Sequence, residues 1–170
     1  APLLKAAALD PESFSVYLVR SDVLNAFVAG GQRLYLTTGL LQRTEHAGQV
    51  IGIMAHEIGH IAGGHLARLK GKLKDADRRA LLSQLFGAAV GLLSRNPGAA
   101  VAATAGGLQI TERTLLKFSR TQEASADHSA VRLLDQTGQS ARGMLEFLDV
   151  LSGQELLHTS RQYPYVLTHP

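Results

Sequence analysis

Apolar positions along the chain follow two periods. Residues 15–20 are rich in β-formers and read as a strand. Residues 26–29 and 33–37 are two further runs of this kind, and Gly30-Gly31 between them supplies the positive φ of a hairpin turn. Further on the period lengthens to that of a helix. Val50, Ile51, Ile53, Met54, Ile58 and Ile61 make one strongly apolar helix, with Thr44 as its expected cap. Residues 2–9 read as a short helix ending near Asp10-Pro11. A charged run, residues 67–79, reads as a solvated helix end and linker. Two apolar helices follow, at about 80–93 and 99–117, split by Asn96-Pro97-Gly98. A helix carrying Glu123 stops near Thr137-Gly138, and another runs over about 141–151. No internal repeat is visible. The pattern predicts a mainly helical α+β chain with a small sheet.

Composition narrows the function classes. At 170 residues and 45% hydrophobic, the chain is long and apolar enough to bury a real core as one domain, spanning 1–170. The net charge of +3 is mild, and no aromatics are interleaved with the basic run, so nucleic acid is not an expected partner. There is no cysteine, hence no disulfide and no thiolate ligand. LLSQLFGAAVGLL (81–93) is 13 residues long, short of the roughly 18 that a spanning helix needs, so the two apolar helices read as a packed helical hairpin. The opening APLLKAAAL lacks the charged and apolar regions of a signal peptide, and the abrupt stop at Thr168-His169-Pro170 reads as a trimmed chain.

The densest chemistry is HEIGHIAGGH, His56 to His65. On a helix, His56 and His60 lie within about 40° of each other, one turn apart, so two imidazoles can converge on one ion. Glu57 lies about 100° from His56, near the ion but poorly placed to ligate it; that is the place for a general base acting on a water. This is the HExxH arrangement of zinc hydrolases. A metzincin would carry its third histidine at position 66, which is Leu66. His65 arrives one residue early and, on a continuing helix, points about 180° from His56, so it reads as solvated or locally bonded; only a bend at Gly63-Gly64 would bring it round as a ligand. Burying two histidines and a glutamate in an apolar helix is costly unless something such as a metal satisfies them.

Catalytic zinc takes three protein ligands. Without cysteine, the third must be His, Asp or Glu. In SRTQEASADHSA, Glu123 and Asp127 are four apart and share a helix face. Glu123 is assigned to the metal, and Asp127 to the second ring N–H of a ligand histidine. The competing reading is a solvated face paired with Arg120 or Arg132. His46, His128 and His158 have no special spacing and read as surface or capping residues.

HEIGH followed by a distant E-x-x-x-D resembles the gluzincin metallopeptidases and, more narrowly, the M48 family with its HtpX-type proteases. The likeness extends over NAFVAGGQRLYLTTGLL (25–41), HEIGHIAGGH, FSRTQEASAD (118–127) and LTHP (167–170). It is strongest to the soluble periplasmic branch that often carries a tetratricopeptide-repeat domain, a domain absent here. Ser125 departs from the Glu frequent in that branch and touches neither proposed ligand.

The resemblance implies a zincin-like fold whose edge strand lines the active-site cleft. It implies a metalloendopeptidase holding one Zn²⁺ on His56, His60 and Glu123, with Glu57 as general base. Substrates would be polypeptides, misfolded or envelope proteins, in the bacterial periplasm or cell envelope. The apolar hairpin would pack near the active site, and the spanning segments of the family's membrane-embedded branches leave a peripheral membrane contact through 81–110 open. An extended peptide would add to the edge strand 33–37, through Arg33, Leu34, Tyr35 and Leu36, with Asn25 orienting either strand or peptide. His169 would stabilise the oxyanion or occupy the metal's open position. The rival class is a self-inhibited or chaperone-like binding module whose zinc site is largely silent.

Overall fold

The computed structural model describes residues 1–157, with side chains through residue 150. They fall into two compact units: Ala1–Leu66 with the chain from Thr121 onward, and Ala67–Arg120.

In the first unit, α1 (Pro2–Ala6) precedes a three-stranded sheet of β1 (Ser15–Val19), β2 (Ala26–Ala29) and β3 (Arg33–Thr37). The 26–37 hairpin forms, with β2 and β3 antiparallel and Gly30 and Gly31 at positive φ. The strand order is β1-β3-β2, with β1 parallel to β3. This corrects the edge-strand assignment of Arg33, Leu34, Tyr35 and Leu36. β3 is the central strand, and its main chain is already paired on both sides. The reason is a crossover: β1 returns to pair with the second strand of the hairpin, which local β propensity does not encode. Among the described residues the edges are β1 and β2.

Alternation along β3 sends Leu34 and Leu36 inward, where they join Leu24, Ala26, Leu40, Ile53 and Phe147 in one buried cluster. Tyr35 faces outward and stacks on Tyr17 and Phe27, with both centroid separations 5.0 Å. Thr37 then caps α2 (Thr38–Arg43) by accepting from the Leu40 N–H. Thr44 ends α2 and does not start the next helix; α3 (Ala47–Ala62) has His46 at its N-cap.

α3 is the pivot of this unit. Its Ile53 faces the sheet cluster, while Ala55 and Ile58 enter a second one with Leu3, Leu4, Ala130, Leu133, Leu134 and Met144. That second core joins α1, the C-terminal part of α5 (Pro97–Gln136) and α6 (Arg142–Leu157) to α3.

The helices of the other unit are longer than the sequence pattern suggested. α4 (His65–Ser94) runs unbroken through the charged stretch, and α5 runs unbroken from the apolar region through Glu123. Lys, Arg, Ala and Leu are good helix formers, and no proline interrupts either run, so a polar stretch is not a break. The break at Asn96-Pro97-Gly98 does occur: Pro97 opens α5, and the Asn96 Oδ1 accepts from the Gly98 N–H.

Candidate metal centre

α3 presents His56 and His60 on one face, both buried, with their Nε2 atoms 3.0 Å apart. α5 brings Glu123 to the same point, its Oε2 lying 3.4 Å from His56 Nε2 and 3.5 Å from His60 Nε2. Those three separations put a point equidistant from all three atoms about 1.9 Å from each. Zinc bonds to His and carboxylate run about 2.0–2.2 Å, so an ion of that size fits just off the plane of the three donors. Two imidazoles and a carboxylate are also the donor set of one major class of catalytic zinc sites.

The second nitrogen of each imidazole is engaged from behind. Asp127 Oδ1 lies 2.8 Å from His56 Nδ1, a carboxylate placed to accept the ring N–H and leave Nε2 as the lone-pair donor. His60 Nδ1 lies 3.0 Å from the Nδ1 of His65. His65 is neither solvated nor a third ligand: it is buried and stands behind His60. The helix does not continue past Ala62. Gly64 turns the chain at φ +63°, α4 starts afresh at His65, and a Cβ on Gly63 would strike the His65 ring. The Gly-Gly pair ahead of His65 was the sequence signal for this second orienting group.

Gly59 sets the distance between the two helices. A Cβ there would meet the Ala126 carbonyl oxygen at 2.9 Å. Its absence lets the backbone of α5 come close enough for Glu123 and Asp127 to reach the histidines.

Burial pushes the His56 pKa down, but the Asp127 and Glu123 carboxylates bonded to it, helped by the charge of Glu57, carry it up to about 9. Three carboxylates thus surround the histidine pair with negative charge, which favours a cation between them. Glu57 follows His56 on α3 and is fully buried.

Asn25 is buried beside the start of β2, its N–H donating to Thr37 Oγ1 and its carbonyl accepting from Thr37. Its main chain therefore orients the strand. Leu34 and Leu36 are core residues, while Arg33 and Tyr35 are on the outer face of β3. His46 pairs with Glu146 at 2.7 Å, and His128 bonds the Ala124 carbonyl one turn back. Arg132 bonds Ser129. His158 and His169 lie outside the described residues.

Comparison with known proteins agrees with this geometry. The sequence model of peptidase family M48 matches residues 1–170. The chain is 32% identical over 158 residues to the beta-barrel assembly-enhancing protease of Escherichia coli K12, covering 92% of this chain and 32% of that protein. It is 29% identical over 144 residues to the metalloprotease YcaL of the same organism, 84% of this chain and 52% of that one. It is 23% identical over 171 residues to the mitochondrial metalloendopeptidase OMA1 of Schizosaccharomyces pombe, 99% of this chain and 46% of that one. The chain therefore spans about a third to a half of the length of these relatives. Matched from end to end by the family's sequence model, the chain belongs to peptidase family M48.

Proposed function

We propose that this chain is a zinc-dependent endopeptidase domain in which His56, His60 and Glu123 hold the metal and Glu57 is the general base. The observation that carries the reading is the triangle of three donor atoms with Asp127 and His65 behind the histidines. A structural site has no need of a buried glutamate beside its ligands, and here Glu57 is one. Zinc held there would supply a Lewis acid that polarises the scissile carbonyl and lowers the pKa of a water to about 7. Glu57 takes the proton from the attacking water and later returns it to the leaving amine nitrogen. Asp127 and His65 keep the two imidazoles in the tautomer that offers Nε2. His169 remains our proposed partner for the oxyanion.

A peptide binds as an added strand, which needs an open sheet edge. β3 has none. β2 is the favoured edge, because its Ala26 packs in one cluster with Ile53 of the site-bearing helix. The beta-barrel assembly-enhancing proteases are named for work on barrel assembly. By extension, the clients proposed here are misfolded or unassembled proteins of a bacterial periplasm or envelope.

The test is zinc content and casein cleavage, side by side, on the wild type and Glu57→Gln. One zinc in both and cleavage only in the wild type is the expected result. Full activity in Glu57→Gln would remove the base from Glu57. Zinc in both with cleavage in neither would favour a self-blocked or chaperone-like binding module.

A further inference from the structure

The unit formed by residues 67–120 is built inside out. Where α4 and α5 touch, the residues are small: a Cβ on Gly87 would strike Thr104, one on Gly91 would meet Ala100 Cβ at 2.7 Å, and one on Gly107 would strike Ser83. The large apolar side chains point away. Leu81, Leu82, Leu85, Phe86, Leu92 and Leu93 are all exposed, Leu92 at 80% and Leu93 at 88%. At 100° per residue these six cover a continuous arc of roughly 140° on α4, opposite the Gly87 and Gly91 face. In water this arrangement wastes apolar area. Small residues between helices and large ones outside are what a hairpin in contact with lipid requires.

Charge is arranged to match. From Ala80 to Thr111 the only charged residue is Arg95, at the turn. Residues 67–120 hold ten Lys and Arg against three Asp and Glu, while the rest of the chain holds seven against eleven. Lys74 and Arg78 lie on the same side of α4 as the leucine arc, within the two turns before it. A groove of about 570 Å³ continues the apolar surface, walled by Leu82, Phe86 and Ile110, floored by Gly106, with Arg79 toward the charged end.

Among the described residues no helix is long and apolar enough to cross a membrane. Burying the turn tip-first would also take Arg95 into hydrocarbon, which is costly. We propose that the 67–120 hairpin lies flat on a membrane of anionic phospholipid. Its leucine arc enters the acyl boundary, and its basic residues, led by Lys74 and Arg78, sit among the phosphates.

The experiment is flotation of the 170-residue chain with vesicles of phosphatidylethanolamine and phosphatidylglycerol, or of phosphatidylcholine alone, at low and high salt. Wild type is expected to bind the anionic vesicles roughly tenfold more tightly than the neutral ones, and salt to erode the difference. Leu85→Asp/Phe86→Asp should lose roughly tenfold or more while keeping its helical circular dichroism and its zinc. If that variant misfolds, Lys74→Glu/Arg78→Glu, which changes only exposed charges, should lose the anionic preference. Equal binding to both vesicle types, or binding untouched by either variant, overturns the proposal. So does failure to bind lipid by a wild type that is a dimer and that Leu85→Asp/Phe86→Asp renders monomeric, which assigns the face to a second copy.

Discussion

Gly59→Ala tests how the site is assembled. The added methyl would stand 2.9 Å from the Ala126 carbonyl oxygen and 3.1 Å from Ser129 Cβ, where ordinary contact begins at 3.4 Å. Both neighbours belong to α5, so the helix must retreat by about 0.5 Å for the methyl to fit. Ala for Gly gains about 1 kcal/mol of helix propensity, and overpacking costs about 1–3 kcal/mol, so the net loss of fold stability is at most about 2 kcal/mol. The metal site is less forgiving. Ligand distances must hold within about 0.2 Å, and the retreating helix carries both Glu123 and Asp127. Zinc affinity should therefore fall about tenfold or more, out of proportion to the stability. The assay is competition for zinc against a chromophoric chelator, read beside thermal unfolding of the metal-free protein. Gly71→Ala is the control: a Cβ at Gly71, inside α4, meets nothing within 4 Å, so this variant should gain about 0.5–1 kcal/mol and bind zinc unchanged. Unchanged zinc affinity in Gly59→Ala would refute the claim that this close approach sets the site.

His65→Ala should keep the fold but weaken zinc about 10–100-fold in the same chelator competition, because His60 loses the group behind its Nδ1; unchanged affinity would reduce His65 to packing. The Glu146 carboxyl is held below its usual range, first by the hydrogen bond to His46 and then by Arg142. A lowered carboxyl pKa stabilises the fold above the ordinary value of about 4.5 and loses that contribution as pH falls through the lowered one. Acid unfolding of Glu146→Gln should then be flatter below about pH 4.5 than that of the wild type; parallel curves would show that the pair adds nothing to the joint between α3 and α6.

Local rules reach some of this molecule and not the rest. Spacing of four puts His56 and His60 on one helix face and Glu123 and Asp127 on another, and both pairs meet where the helices cross. Gly30-Gly31 gives the hairpin, and Asn96-Pro97-Gly98 gives the helix break, because glycine and proline act through their own backbones. Strand order was not legible, since pairing β1 with β3 is a choice between distant segments of similar β propensity. Polar composition misled at residues 67–79, where charged side chains sit on a continuous helix. For His65 the spacing leaves solvation or a local bond open, and the structure has the local bond: α3 ends before Gly64, which takes positive φ, and the His65 ring meets His60. Gly59 carried no visible signal, because its role depends on a helix more than sixty residues away.

The central claim is that two imidazoles and one carboxylate of this chain hold a zinc ion. Zinc K-edge X-ray absorption on the metal-loaded chain, wild type and Glu123→Ala, tests it most directly. The expected wild-type shell has a low coordination number, with two imidazole nitrogens and oxygen at about 2.0–2.2 Å and no sulfur, and Glu123→Ala loses the metal. A six-coordinate shell, or an identical spectrum from a fully loaded Glu123→Ala, would contradict it.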